Sequence, residues 1–182
     1  MVSVDATFLG LMLHPDAKPP LDPTTQKPTE RTKDRIEKLL EDLVSAREKV
    51  IVPTPALCEF LVFAKDDGPQ YLSELNNLSN FYIRPFDQMA AVELAAIEIM
   101  ARRTGSKRAP ETVEVPWQKV KFDRQIIAIA KIHGAHTIYS DDGHIKTFAE
   151  DVGIKVICCW ELALPVSKMP LIDNAPGPPL DL

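Results

Sequence analysis

The sequence predicts an α/β domain with a mainly parallel central sheet and helices on both faces. Short β-rich runs alternate along the chain with helical patterns, the order that right-handed crossovers turn into parallel strands. Each of two such runs ends on an acid, Asp5 and the Asp141-Asp142 pair. Carboxyl ends of strands are where open α/β sheets place their ligands. A third run leads into a helix carrying Glu59 among apolar neighbours.

Residues 1–5, MVSVD, read as a strand closed by Asp5, with the apolar helix ATFLGL directly behind it. Residues 14–30 hold Pro15, Pro19, Pro20, Pro23 and Pro28, a density that neither helix nor strand tolerates, so an extended ordered loop or lid is expected. Thr32 is placed to cap the next helix, where Ile36, Leu39, Leu40, Leu43 and Val44 repeat at helical spacing. Residues 49–52 follow as a buried strand. Thr54 as cap and Pro55 as first helical residue then open the Glu59 helix.

Residues 69–78 fit another helix and 81–86 a short extended segment. Asp87 caps a helix running to about Arg103. Residues 102–108, RRTGSKR, form a basic turn that leads through Pro110 and Pro116 to Trp117. The segment from Asp123 to Ile132 is apolar almost all round, which suits a helix packed between sheet and neighbours. Gly134 stops it in a left-handed C′ position. Residues 135–140 form a strand delivering Asp141 and Asp142, 144–152 a short helix, and 154–158 a last buried strand. The tail carries Pro165, Pro170, Pro176, Pro178 and Pro179, so the domain is drawn as 1–160 and a Pro-rich extension as 161–182.

At 182 residues, 45% apolar and 26% charged, the chain is sized for one soluble domain with its own core. It has no run near the roughly 18 apolar residues that span a bilayer and no signal-like N-terminus, so a cytoplasmic protein without a membrane partner is expected. Three cysteines, Cys58, Cys158 and Cys159, lie in apolar runs and read as reduced core thiols. The net charge of −5 argues at first against nucleic acid. That objection weakens if Asp5, Glu59, Asp123 and Asp142 are neutralised by metal, because the remainder is then close to neutral.

Carboxylates crowded together cost several kcal/mol each unless something compensates them, and a hard divalent cation with oxygen ligands is the usual compensation. Acids gathered at strand ends therefore point to Mg²⁺ or Mn²⁺. Each has a plainer reading too: Asp123 as a helix cap, Asp141 and Asp142 as turn residues before Gly143, Asp5 as a strand end. Glu59, flanked by Leu57, Cys58, Phe60 and Leu61, needs a partner unless its side of the helix is exposed. His14, His133, His136 and His144 show no zinc-ligand spacing, and no glycine-rich nucleotide loop is present.

The opening VDATFLGLML, the TPALCEFLV helix, the FDRQIIAIA helix and the IYSDDGHI turn, in that order, resemble the PIN-domain nucleases, above all the VapC-like ribonuclease toxins of bacterial toxin–antitoxin pairs. The resemblance spans about residues 1–160. It implies a single PIN-like domain that hydrolyses phosphodiester bonds in single-stranded RNA or structured RNA loops, with Asp5, Glu59 and Asp123 as metal ligands. Asp142 would be the fourth acid of the S-x-D-x-x-I turn, and Asp141 is its rival. The family often has a polar residue just after its first Asp; here Ala6 intervenes, and Thr7 takes that role.

An antitoxin partner and a homodimer are also implied. The helices at 32–48 and after Pro69 offer apolar surface for the dimer. Arg102, Arg103, Lys107, Arg108, Lys119 and Lys121, on the approach to Asp123, are expected to contact RNA phosphates, with a solvated turn as the alternative. Two other functions remain open at this point. One is a non-catalytic module of this fold that binds RNA or protein; the other is a receiver-like Mg²⁺ phosphotransfer domain, in which Glu59 has no clear place.

Overall fold

The computed structural model of the protein describes residues 1–103 and 117–165. Five strands form one parallel sheet: β1 (Val2–Val4), β2 (Val50–Pro53), β3 (Phe81–Arg84), β4 (Thr137–Tyr139) and β5 (Lys155–Ile157), in the order β3-β2-β1-β4-β5. β1 is thus central, with the chain winding outward from it first to one side and then to the other. Right-handed crossovers on the two sides put helices on opposite faces of the sheet.

The helices are α1 (Ala6–Leu13), α2 (Thr32–Ser45), α3 (Thr54–Ala64), α4 (Gly68–Asn77), α5 (Gln88–Arg103), α6 (Trp117–Ile132) and α7 (Gly143–Asp151). Contacts follow the winding: α1 meets α2 and α3, and α3 meets α4, while α6 lies between α5 and α7. Helices α3 and α6 also touch. The first leaves the carboxyl end of β2 and the second descends toward the amino end of β4, so their N-terminal halves share the carboxyl edge of the sheet.

In α6 the expected all-round burial is found: Ile126, Ile127, Ala128, Ile129 and Ala130 are at most 1% exposed. Gly134 ends it at φ +69°, the left-handed conformation that glycine adopts at little cost. One expectation is corrected here. Asp123 does not open α6, which has already made nearly two turns from Trp117 when it reaches Asp123. A cap role for Asp123 is thereby removed.

The Pro-rich loop after α1 is ordered, held by a Leu21–Pro28 bridge and by Asp22, whose carboxylate accepts from the N–H of Thr24 at 2.7 Å. Arg31, in the left-handed region at φ +56°, takes the N-cap of α2 that Thr32 was expected to fill. Thr32 instead opens the helix with its hydroxyl donating to the carbonyl of Thr29 at 2.8 Å. At the next junction Pro53 holds the cap, and Thr54 Oγ1 accepts from the N–H of Phe86 at 3.2 Å. Asp87 behaves as expected, accepting from the N–H of Ala90 at 2.9 Å.

Side chains exposed on the surface depart from expectation in two places. The apolar residues of α2 and α4 are largely covered, whereas Val62 and Phe63 of α3 and Met89, Val92, Ile99 and Met100 of α5 face solvent. Cys58 is exposed rather than a core thiol; Cys158 and Cys159 are buried, and all three are free.

Candidate functional site

The β1–β4 register pairs Val4 with Tyr139, so the next residues of the two strands, Asp5 and Ser140, emerge side by side. This is where the winding reverses, the switch point at which open α/β sheets leave a crevice for ligands. Asp5 is 4% exposed. Its Oδ1 accepts from the N–H of Phe8 at 2.8 Å, capping α1, and its Oδ2 accepts from Ser140 Oγ at 2.6 Å. Burial pushes the Asp5 carboxyl up to about 7 against those two hydrogen bonds, and the charges of Asp141 and Asp142 push it the same way.

Asp142 caps α7, with Oδ1 accepting from the N–H of His144 at 2.8 Å. Its own N–H donates to Ser140 Oγ at 3.1 Å, so one hydroxyl ties the first and the fourth acid together. Oδ2 of Asp142 forms an ion pair with Lys119 Nζ. Burial alone would raise Asp142, but the hydrogen bond and charge of Lys119, together with the hydrogen bond from the His144 N–H, hold the carboxyl below its ordinary value.

Asp123 reaches the same place from α6. It is 5% exposed, and its Oδ2 is buried with no hydrogen-bond partner among the described residues. Burial pushes it up to about 7, with Asp142, Glu59 and Asp5 adding repulsion that Lys119 partly relieves. Glu59 acts on this cluster through its charge but faces solvent. It lines a groove of about 510 Å³ with Thr7, Phe60 and Phe63, between α1 and α3. The apolar neighbours that make Glu59 conspicuous in sequence therefore do not bury it.

Asp141 points elsewhere. Its Oδ1 accepts from the N–H of Cys159 at 2.6 Å, and burial pushes it up to about 6. Of the cationic candidates, Arg102 and Arg103 lie exposed in the last turn of α5. Arg102 and Lys121 line a separate hollow with Glu98 and Gln125. Lys119 points into the acid cluster; Lys107 and Arg108 lie outside the described residues, as does the tail beyond residue 165.

Ser140, which joins two acids of the site, and Arg124, next to Asp123 in sequence but turned to another helix, were not singled out by the sequence. Ser140 carried a signal, since a hydroxyl two residues before Asp142 at a strand end can bond back to the turn. Arg124 carried none: next to Asp123 it reads as a solvated charge. Yet it is 0% exposed, with Nη1 donating to Glu98 Oε1 at 2.6 Å and its guanidinium 4.3 Å from the centre of the Phe148 ring.

Among the described residues, no three His, Cys, Asp or Glu side chains close on a common point at metal-binding distance. The chemistry of the donors nevertheless suits a hard cation. They are all carboxylate oxygens. One buried oxygen of these donors, Asp123 Oδ2, lacks a partner among the described residues, and Asp5 and Asp123 are raised first by burial and further by the charges of neighbouring acids.

No protein-family model and no curated protein matches the sequence. Solved structures do. A chain of DNA-bound VapBC from Salmonella typhimurium superposes with a TM-score of 0.52 at 14% identity, over 87% of this chain and 99% of that one. A chain of VapBC2 from Rickettsia felis, bound to a DNA fragment from its promoter, superposes with a TM-score of 0.51 at 16% identity, over 87% and 98%. At such identities the likeness is one of fold, and the fold of this chain is the single PIN-like α/β domain that its four acidic segments resemble.

Proposed function

We propose that the protein is a metal-dependent endoribonuclease of the toxin type, cutting phosphodiester bonds in single-stranded RNA or RNA loops. The observation that carries this reading is Asp123: a buried carboxylate with an unpartnered oxygen, facing Asp5 and Asp142 at the switch point of the sheet. Asp5, Glu59, Asp123 and Asp142 would hold Mg²⁺ or Mn²⁺, whose chemistry when bound is activation of water and of the scissile phosphate. Ser140 fixes the rotamer of Asp5 and the backbone of Asp142. The buried Asp5 and Asp123 must lose their protons for binding, which couples metal uptake to proton release. Thr7 on the groove wall, with Arg102, Arg103 and Lys121, would contact the RNA backbone, making affinity fall with salt.

The neighbours of known structure are two-component complexes, and a small antitoxin protein is the corresponding partner proposed for this chain. One observation favours a second reading, a non-catalytic binding module: among the described residues no three acids close on one point. Cleavage of single-stranded RNA by the purified chain, with Mn²⁺ and with chelator, separates the two. Metal-dependent cleavage that vanishes in Asp123→Asn supports the nuclease. Full cleavage by Asp123→Asn would sink it, and metal binding without any cleavage would favour the module.

A further inference from the structure

We propose that Lys119 is a tethered counter-ion of the acidic site, which occupies Asp142 in the metal-free protein and must be displaced before a divalent cation binds. This rests on the metal-site reading above and assigns Lys119 a different task from RNA contact. Lys119 and Asp123 lie four residues apart on α6, hence on one face of the helix, one turn from each other. The ammonium pairs with Oδ2 of Asp142, the one oxygen of that carboxylate not committed to capping α7. The charges of Asp142, Asp123 and Glu59 all act on this ammonium.

The pairing accounts for two features. While Asp142 is held by Lys119 it is not free to complete a ligand set with Asp5 and Asp123, and no three acids converge among the described residues. The tether is also releasable, because the Lys119 side chain is 43% exposed and an ammonium on a flexible four-carbon stem gives up a partner more readily than a guanidinium fork does. A fixed positive charge several Å from a dication site opposes its filling at close range, where salt screens little.

The test uses the full chain stripped of metal, with Mn²⁺ titrated calorimetrically into wild type, Lys119→Met, Lys119→Gln and Lys119→Arg. The neutral variants should bind Mn²⁺ more tightly, on the order of tenfold, the size expected for removing one nearby charge at intermediate dielectric. Their metal-free melting temperatures should fall, whereas Lys119→Arg should keep the wild-type melting temperature and bind Mn²⁺ no more tightly than wild type. An unchanged or weaker Mn²⁺ affinity in both neutral variants overturns the proposal, even if RNA binding drops. RNA cleavage measured alongside separates the two levels. A wild type that cuts with Mn²⁺ while the variants keep its Mn²⁺ affinity removes only the Lys119 role; a wild type that neither binds Mn²⁺ nor cuts removes the metal site and the counter-ion with it.

Discussion

The hydroxyl of Ser140 donates to Oδ2 of Asp5 at 2.6 Å, joining the ends of β4 and β1 through a side chain that is 0% exposed. The same oxygen accepts from the N–H of Asp142 at 3.1 Å. Ser140→Ala therefore strands two polar groups at once, a buried acceptor on Asp5 and a half-buried donor on Asp142. The expected cost is about 2 kcal/mol of stability, the usual penalty for unpaired buried groups. Urea denaturation of the metal-free protein measures it, and a loss under about 0.5 kcal/mol, the range of ordinary surface changes, would show that the strap is not holding the site.

Asp123→Asn should raise metal-free stability and abolish RNA cleavage. Asn keeps the shape but removes one of several mutually repelling charges. Because Asp123 lies inside α6, no helix-cap effect complicates the comparison. Thermal melts with and without Mn²⁺ give the readout: the wild type should gain from the metal and the variant should gain much less.

The metal-free protein should lose stability as pH rises from about 4 to about 7. Folding lifts Asp5 and Asp123 from 3.8 to about 7, so in this window the folded state binds more protons than the unfolded one. Their contribution is complete below the unfolded value and is lost as pH passes the folded one. Asp142, held low chiefly by Lys119 against the cost of burial, works in the opposite sense, its contribution vanishing only as pH falls through its depressed folded value. Melting temperatures at a series of pH values check this, and the decline should be shallower in Asp123→Asn.

Between the two neighbouring acids, Asp142→Asn should cost more cleavage than Asp141→Asn. Asn still caps α7 almost as well as Asp, so loss of the charge facing Lys119 and Asp123 is isolated from loss of the cap. Asp141 is engaged with the N–H of Cys159, and its replacement should register mainly in stability. Equal loss of cleavage in both variants, at equal stability, would contradict the assignment.

A homodimer should use α5 rather than α2 or α4. Met89, Val92, Ile99 and Met100 leave a solvent-facing apolar stripe along α5, the kind of surface that marks an interface. Light scattering should give a dimer for the isolated chain and a monomer for Met89→Glu/Val92→Glu. A monomeric wild type at micromolar concentration would rule this interface out.

Element order and sheet class were legible in the amino-acid sequence because they rest on local chemistry, and so was the placing of Asp5 and Asp142 at strand ends. Alternation of strand and helix patterns dictates crossovers, the apolar run from Ile126 to Ala130 demands a buried helix, and Gly134 marks its end through a conformation that other residues resist. The place of Asp123 within its helix was not legible, because the turn before it, from Trp117, is mostly polar, with Gln118, Lys119 and Lys121 around Val120. Nor was the depth of Glu59: its neighbours are apolar, but the helix turns it to solvent while Leu57 and Phe60 face inward.

Only the tertiary structure decided which charges meet. Lys119 and Asp142 are 23 residues apart, Ser140 and Asp5 are 135, and Arg124 finds Glu98 on another helix, all by way of the sheet order β3-β2-β1-β4-β5. Sequence pattern determines what an element must bury, because burial is a property of one face of one helix or strand. It does not determine what that face is buried against, and so it did not show the serine that ties Asp5 to Asp142, and it cast Lys119 as a phosphate contact rather than as the partner of Asp142.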